Sequence, residues 1–141
     1  MFLCSSQAQL AERAERYDDM MNFMTQAAEM SELDKEERNL LSLAIKHAVG
    51  SRRSSVRILK SAKELGEMPA PVVDKYLIKV EKELHDLCRS VVRLLDDIVF
   101  PKLSESDKEA SVYYLKMKGD YFRQALVDSI AYPFSLFFLL F

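Results

Sequence analysis

Between residues 73 and 98, apolar side chains recur at alternating steps of four and three: Val73, Leu77, Val80, Leu84, Leu87, Val91, Leu94 and Ile98. This spacing draws one narrow stripe along a helix of about seven turns. A stripe so long and narrow is buried only against other long helices lying nearly parallel or antiparallel to it. Pro69 and Pro71 stand before it and Pro101 after it, so the pattern predicts a helix over 72–99. Only three Gly and four Pro occur in 141 residues, which leaves other long stretches uninterrupted, and no strand-like alternation of period two is found. The expected fold is therefore all-α, an antiparallel bundle of about five helices.

The remaining helices follow from local signals. Residues 7–16 (α1) and 17–30 (α2) read as two short helices. The first carries Leu10, Ala11 and Ala14 on one side, and the second is rich in methionine around Phe23. Clustered Met side chains are adaptable core filler more often than a binding surface. Asp34 with Glu37 makes a capping box that starts α3, predicted over 35–65, with Gly66 past its end. Gly50 lies inside it, either as a tolerated glycine or as a point of close backbone approach. The stripe helix over 72–99 is α4. The run Ser106-Asp107-Lys108-Glu109 reads as a second capping box, opening α5.

The hydrophobic fraction of 49% against 30% charged residues describes a globular chain, and its length is that of one domain. A net charge of −2 argues against a nucleic-acid partner, whose binding domain is normally basic. Two cysteines, Cys4 and Cys88, cannot build a disulfide framework, which points to a reducing compartment. The N-terminal residues lack the apolar core and basic flank of a signal peptide. The apolar run 130–141 falls short of the roughly 20 residues a membrane span needs. Cytoplasmic residence is the expectation.

Two stripes run along residues 38–57 and just beyond. Advancing about 100° per residue, Arg53, Arg57 and Lys60 fall within roughly 40° of Lys46. Leu41, Ile45, Ala48, Val49, Val56 and Leu59 form a separate apolar face. Taken alone, the cations describe the solvated side of any surface helix. On α5, however, Lys116 and Arg123 repeat the seven-residue spacing of Lys46 and Arg53, and Asp120 lies between them where it can orient either one. If α3 and α5 pack side by side, four cations converge on one place and could hold a phosphate, Arg through its fork and Lys as a point charge. Catalysis finds no support: His47 and His85 lack partners at metal-ligand spacing, no glycine-rich phosphate loop occurs, and Ser54-Ser55 has no nucleophile elbow. No metal or other cofactor is expected.

These residues resemble the 14-3-3 family. Arg38-Asn39-Leu40-Leu41-Ser42 reproduces the start of its first signature, and Arg52-Arg53-Ser54-Ser55 follows as in the family. The segment from Leu10-Ala11-Glu12-Arg13 to Asp18-Asp19-Met20 resembles its first-helix block, and Tyr113-Tyr114-Leu115-Lys116-Met117-Lys118-Gly119-Asp120-Tyr121-Phe122-Arg123 resembles a later one. The resemblance covers about 7–123 and implies a dimeric, non-enzymatic adaptor that recognises phosphoserine or phosphothreonine peptides of client proteins. By the same resemblance Lys46, Arg53 and Arg123 clasp phosphate and Lys116 lines the groove. Gln124 replaces the family's tyrosine, and Ile45, His47 and Val56 also depart from the usual residues.

The resemblance further implies a homodimer, or a heterodimer with other 14-3-3 proteins, in which α1 and α2 of one protomer meet α3 and α4 of the other. Leu10, Ala14, Ser55, Leu59, Ala62 and Tyr76 match that interface, with Arg16 opposite Glu83 and Asp19 opposite Lys79 as charge pairs across it. Ser55, preceded by Arg52-Arg53-Ser54, is a candidate phosphorylation site that would separate the protomers.

Residues 1–123 are thus expected to form the N-terminal part of a 14-3-3-like domain, and 124–141 a divergent hydrophobic tail. The basic wall of the groove is encoded, while the family's apolar wall lies in helices beyond the likeness. Two functions follow: a phosphopeptide adaptor impaired by loss of the C-terminal helices, or a dimerisation-only fragment that pairs with full-length relatives.

Overall fold

The computed structural model describes residues 2–131, with side-chain surroundings for 3–126. Five α-helices follow in order: α1 Phe2–Arg13, α2 Tyr17–Met30, α3 Lys35–Glu64, α4 Ala70–Leu94 and α5 Lys108–Ala131. A π-helical turn, Leu95–Val99, and a 3-10 turn, Phe100–Lys102, continue α4 toward α5. No strand occurs among the described residues, so the all-α bundle expected from the stripe pattern is the observed architecture.

Each helix packs on the next in sequence, α1 on α2, α2 on α3, α3 on α4 and α4 on α5. Ion pairs fix the directions. Lys60 meets Glu81 at 3.0 Å and Lys63 meets Asp74 at 2.7 Å, so α4 runs back along α3. Lys35 faces Glu109 at 3.5 Å, while Arg53 bonds Gln124, so α5 runs parallel to α3, and α4 packs on both. The core is drawn from all five helices, with Met20, Met24, Leu41, Ile45, Val49, Cys88, Val91, Leu95 and Tyr114 wholly enclosed.

Helix ends follow local chemistry. At α3 the Asp34 carboxylate accepts from Glu37 N at 2.9 Å, and the Glu37 carboxylate accepts from Asp34 N at 3.1 Å, as the capping box predicts. The far end of α3 closes in a Schellman motif: Gly66 at φ +65 donates to Lys63 O, and Glu67 donates to Ala62 O. Glycine is required there for the left-handed backbone. At Gly50, by contrast, an added Cβ would meet nothing within 4 Å, so close backbone approach is not its reason.

Several expected boundaries are corrected. The first helix begins at Phe2 and ends at Arg13, because Glu15 takes a left-handed φ of 55° and turns the chain into α2. At α5 the cap is Asp107 rather than Ser106: its carboxylate accepts from Ala110 N at 2.9 Å. The α4 stripe is buried at Val73, Leu77, Val80, Leu84, Val91 and Leu94, while Leu87 and Ile98 are half-buried and their neighbours Cys88, Leu95 and Val99 are buried beside it. An α-helix drifts against a seven-residue repeat, and the π-helical turn falls at the end of this drift. The expected tail, 124–141, begins inside α5, and its residues 132–141 lie outside the described residues.

Candidate functional site

The apolar stripe of α3 is buried as its spacing predicts, with Leu41, Ile45, Ala48, Val49 and Val56 in the core and Leu59 half-buried. Fixing that face inward turns Lys46, Arg53, Arg57 and Lys60 to solvent. Lys60 is used structurally, on Glu81 of α4. Lys46 and Arg57 form no hydrogen bond or ion pair among the described residues. Their charge is uncompensated by close neighbours, as an anion site needs.

Side chains of α3 reach α5 or its cap at three places, Lys35 to Glu109, Arg38 to Asp107 and Arg53 to Gln124, while α4 packs on both helices. They meet across a groove of about 440 Å³ lined by Gly50, Arg53, Val56, Arg57, Leu84 and Gln124. There the Arg53 guanidinium donates to the Gln124 side-chain oxygen, joining the helices at the position beside Arg123. Burial pushes the Tyr121 phenol pKa up, and the nearby Arg53 charge opposes that shift. Lys46, Lys116 and Arg123 are exposed and do not line this groove. No ion pair joins Asp120 to Lys116 or Arg123 in the structure, so its expected orienting role has no contact behind it.

Three contacts near the site were not evident from sequence. Arg52 grips Asp18 of α2 through two bonds of 2.9 and 3.1 Å, and the Asp18 carboxylate holds its pKa above the usual value. Tyr17 stacks on His47 with ring centroids 4.1 Å apart. Arg38, nearly buried, reaches Asp107 at 3.3 Å and ties α3 to the start of α5. All three join residues distant in sequence, where helical periodicity carries no signal.

The residues expected at a dimer face are distributed over the ends of α1, α3 and α4. Leu10 and Tyr76 are 67% and 55% exposed, Ala14 is exposed, and Ser55, Leu59 and Ala62 are half-buried. Within the single chain Arg16 is paired with Asp19 one turn on, Lys79 lies 6.0 Å from the Tyr76 ring, and Glu83 contributes to the field at Arg52. The charges assigned to a partner thus have neighbours in their own protomer. Ser55 Oγ donates to Ser51 O at 3.1 Å. Among the described residues no three His, Cys, Asp or Glu side chains gather to hold a metal ion, and no helix is long and apolar enough to cross a membrane.

Comparison with known proteins places this geometry in context. Residues 7–126 match the family model for the 14-3-3 protein. Similar proteins include 14-3-3-like protein 2 of Caenorhabditis elegans, 49% identical over 122 residues, which cover 84% of this chain and 48% of that protein. The 14-3-3 protein zeta of Bombyx mori is 50% identical over 120 residues, covering 82% and 48% respectively. The chain spans about half the length of the curated relatives it matches.

Proposed function

Because the chain belongs to the 14-3-3 family, we propose that it is a non-enzymatic, cytoplasmic adaptor that binds phosphoserine and phosphothreonine peptides of client proteins. The observation that carries this reading is the contact of Arg53 with Gln124 across the groove, with Arg57 exposed in it and Lys46 and Arg123 exposed elsewhere on the same two helices. A phosphate dianion entering beside Arg53 meets a guanidinium fork already held by α5. Lys46, two turns earlier on the same stripe, adds a point charge, and Arg123 a second fork. Gln124 can offer its amide N–H groups in place of the family's tyrosine hydroxyl. The basic wall alone positions the phosphate and leaves the rest of the peptide with few contacts, so these 141 residues bind more weakly than a chain with both walls.

Fluorescence anisotropy with an Arg-rich phosphoserine peptide and its unphosphorylated twin tests this. The phosphorylated form is expected to bind at least tenfold tighter. Lys46→Glu should erase that preference, since each charge-assisted bond contributes about 1.5–3 kcal/mol. A preference that survives Lys46→Glu overturns the site.

A second reading is favoured by the exposed Leu10 and Tyr76, apolar groups that a partner protomer would cover. On it, the chain pairs with itself or with full-length 14-3-3 proteins and does nothing more. Heterodimers formed without any phosphate-dependent peptide binding would select it.

A further inference from the structure

A cavity of about 10 Å³ lies where the end of α2 meets the turns after α4 and the first part of α5, with Ala28, Ser31, Glu32, Lys102 and Tyr114 in its lining. The Tyr114 side chain is 1% exposed, yet its hydroxyl has no hydrogen-bond partner among the described residues. A phenol offers one O–H donor and two acceptor lone pairs, and burying them unanswered costs stability. Folded proteins normally answer such a group with another protein group or with ordered water. Phe100 and Tyr113 hold the ring edge-on, so its oxygen cannot reach solvent without moving the whole ring.

Lys102 brings a second polar group to the same cavity. Its ammonium donates to Ala28 O at 2.6 Å and to Glu29 O, carbonyls that the last turn of α2 leaves without helical partners. An ammonium has three N–H donors, of which these bonds use two, and Ala28 O keeps a second lone pair. Donors and an acceptor thus border one small space. A bridging water needs two to four polar partners and room for one molecule, and both conditions are met. The size leaves no place for an organic ligand. An anion would lie beside the Glu32 carboxylate, with the Lys102 charge already directed at two carbonyls.

We propose that this cavity binds one structural water, which joins Tyr114 Oη of α5 to Lys102 Nζ and to the end of α2. The water accepts from the third ammonium N–H and from the phenol O–H, and it donates to Ala28 O. It completes the hydrogen bonding of the one buried side-chain atom that the protein's own described residues leave unanswered. The cavity shares no lining residue with the basic groove, and the proposal does not rest on phosphopeptide binding.

Oxygen-17 magnetic relaxation dispersion, which counts long-lived internal waters, tests this on the full chain against Tyr114→Phe. The substitution removes one oxygen and keeps the ring, and far-UV circular dichroism checks the fold. The parent is expected to hold one long-lived water more than the variant. Stability at neutral pH should be unchanged, because the hydrogen bonds and the cost of immobilising the water are lost together. A crystal of the parent should show one density peak within about 2.6–3.2 Å of both Tyr114 Oη and Lys102 Nζ. Equal dispersion in the two proteins, or no such peak, overturns the proposal. So does a Tyr114→Phe protein whose unfolding equilibrium is about fivefold less favourable, which would mark the hydroxyl as unanswered even by water. An anomalous peak at the site in crystals grown with bromide would overturn it in favour of an anion.

Discussion

Tyr114 is the largest of the fully enclosed side chains, and its hydroxyl finds no hydrogen-bond partner among the described residues. Its ring is well used, edge-on to Phe100 and Tyr113 at 6.4 and 5.6 Å. Burial drives its pKa above the ordinary tyrosine range, with the Arg38 charge opposing. A pKa raised on folding means that the native state keeps its proton where the unfolded chain has lost it. Stability is then intact below about pH 10 and falls as pH rises beyond it. Tyr114→Phe should keep neutral-pH stability, or raise it by up to about 1 kcal/mol as an unsatisfied buried hydroxyl is removed. It should also flatten the alkaline decline, and urea melts at neutral and alkaline pH measure both. A variant that declines as steeply as the parent would show that other groups carry the alkaline effect. Little of this was legible in the sequence. Tyr113 and Tyr114 are adjacent, and only the packing of α5 on α4 decides which is enclosed. The Arg53–Gln124 contact was hidden for the same reason, since its partners are 71 residues apart. Lys46, Arg53 and the apolar face of α3 were readable because one helical period relates them.

At the scale of elements, caps do double duty. Asp107 starts α5 by accepting from Ala110 N, and it also receives the nearly buried Arg38 from α3. Removing its carboxylate strips the cap and leaves a guanidinium enclosed without its charge partner. Asp107→Ala is therefore expected to destabilise by about 1 kcal/mol for the lost cap and by more again for the guanidinium left without its charge partner. Asp107→Asn keeps a side-chain oxygen for the cap and loses only the charge, so it should fall between the two in a denaturant melt. If both variants cost the same, the ion pair is the whole effect and the cap contributes nothing. The sequence revealed that a cap lay in this run, but it placed the box one residue early, because Ser106 and Asp107 are both good N-caps and only the path of the preceding turn chooses between them. The α4 stripe was legible as far as Leu94 except at Leu87, where the drift of an α-helix against a seven-residue repeat buries Cys88 instead.

For the whole molecule, the question is what covers the ends of α1, α3 and α4, where Leu10 and Tyr76 stand open and Ser55, Leu59 and Ala62 lie half-buried beside them. A second protomer laid on this face buries apolar surface and makes stability depend on protein concentration, so the melting temperature should rise with concentration. If Ser55 lies in such an interface, added charge there should oppose dimerisation. Its hydroxyl is satisfied by Ser51 O, and Arg52, three residues earlier, is already held by Asp18. A carboxylate or phosphate there finds no ready counter-charge and must be desolvated against the partner. Ser55→Asp is expected to move the protein from dimer to monomer in sedimentation velocity, weakening association at least tenfold, while Ser55→Ala, which adds no charge, stays dimeric. The concentration dependence of melting should vanish in the Asp variant alone. A Ser55→Asp protein that sediments as the same dimer would remove Ser55 from the interface and, with it, the switch its Arg-rich flank suggests.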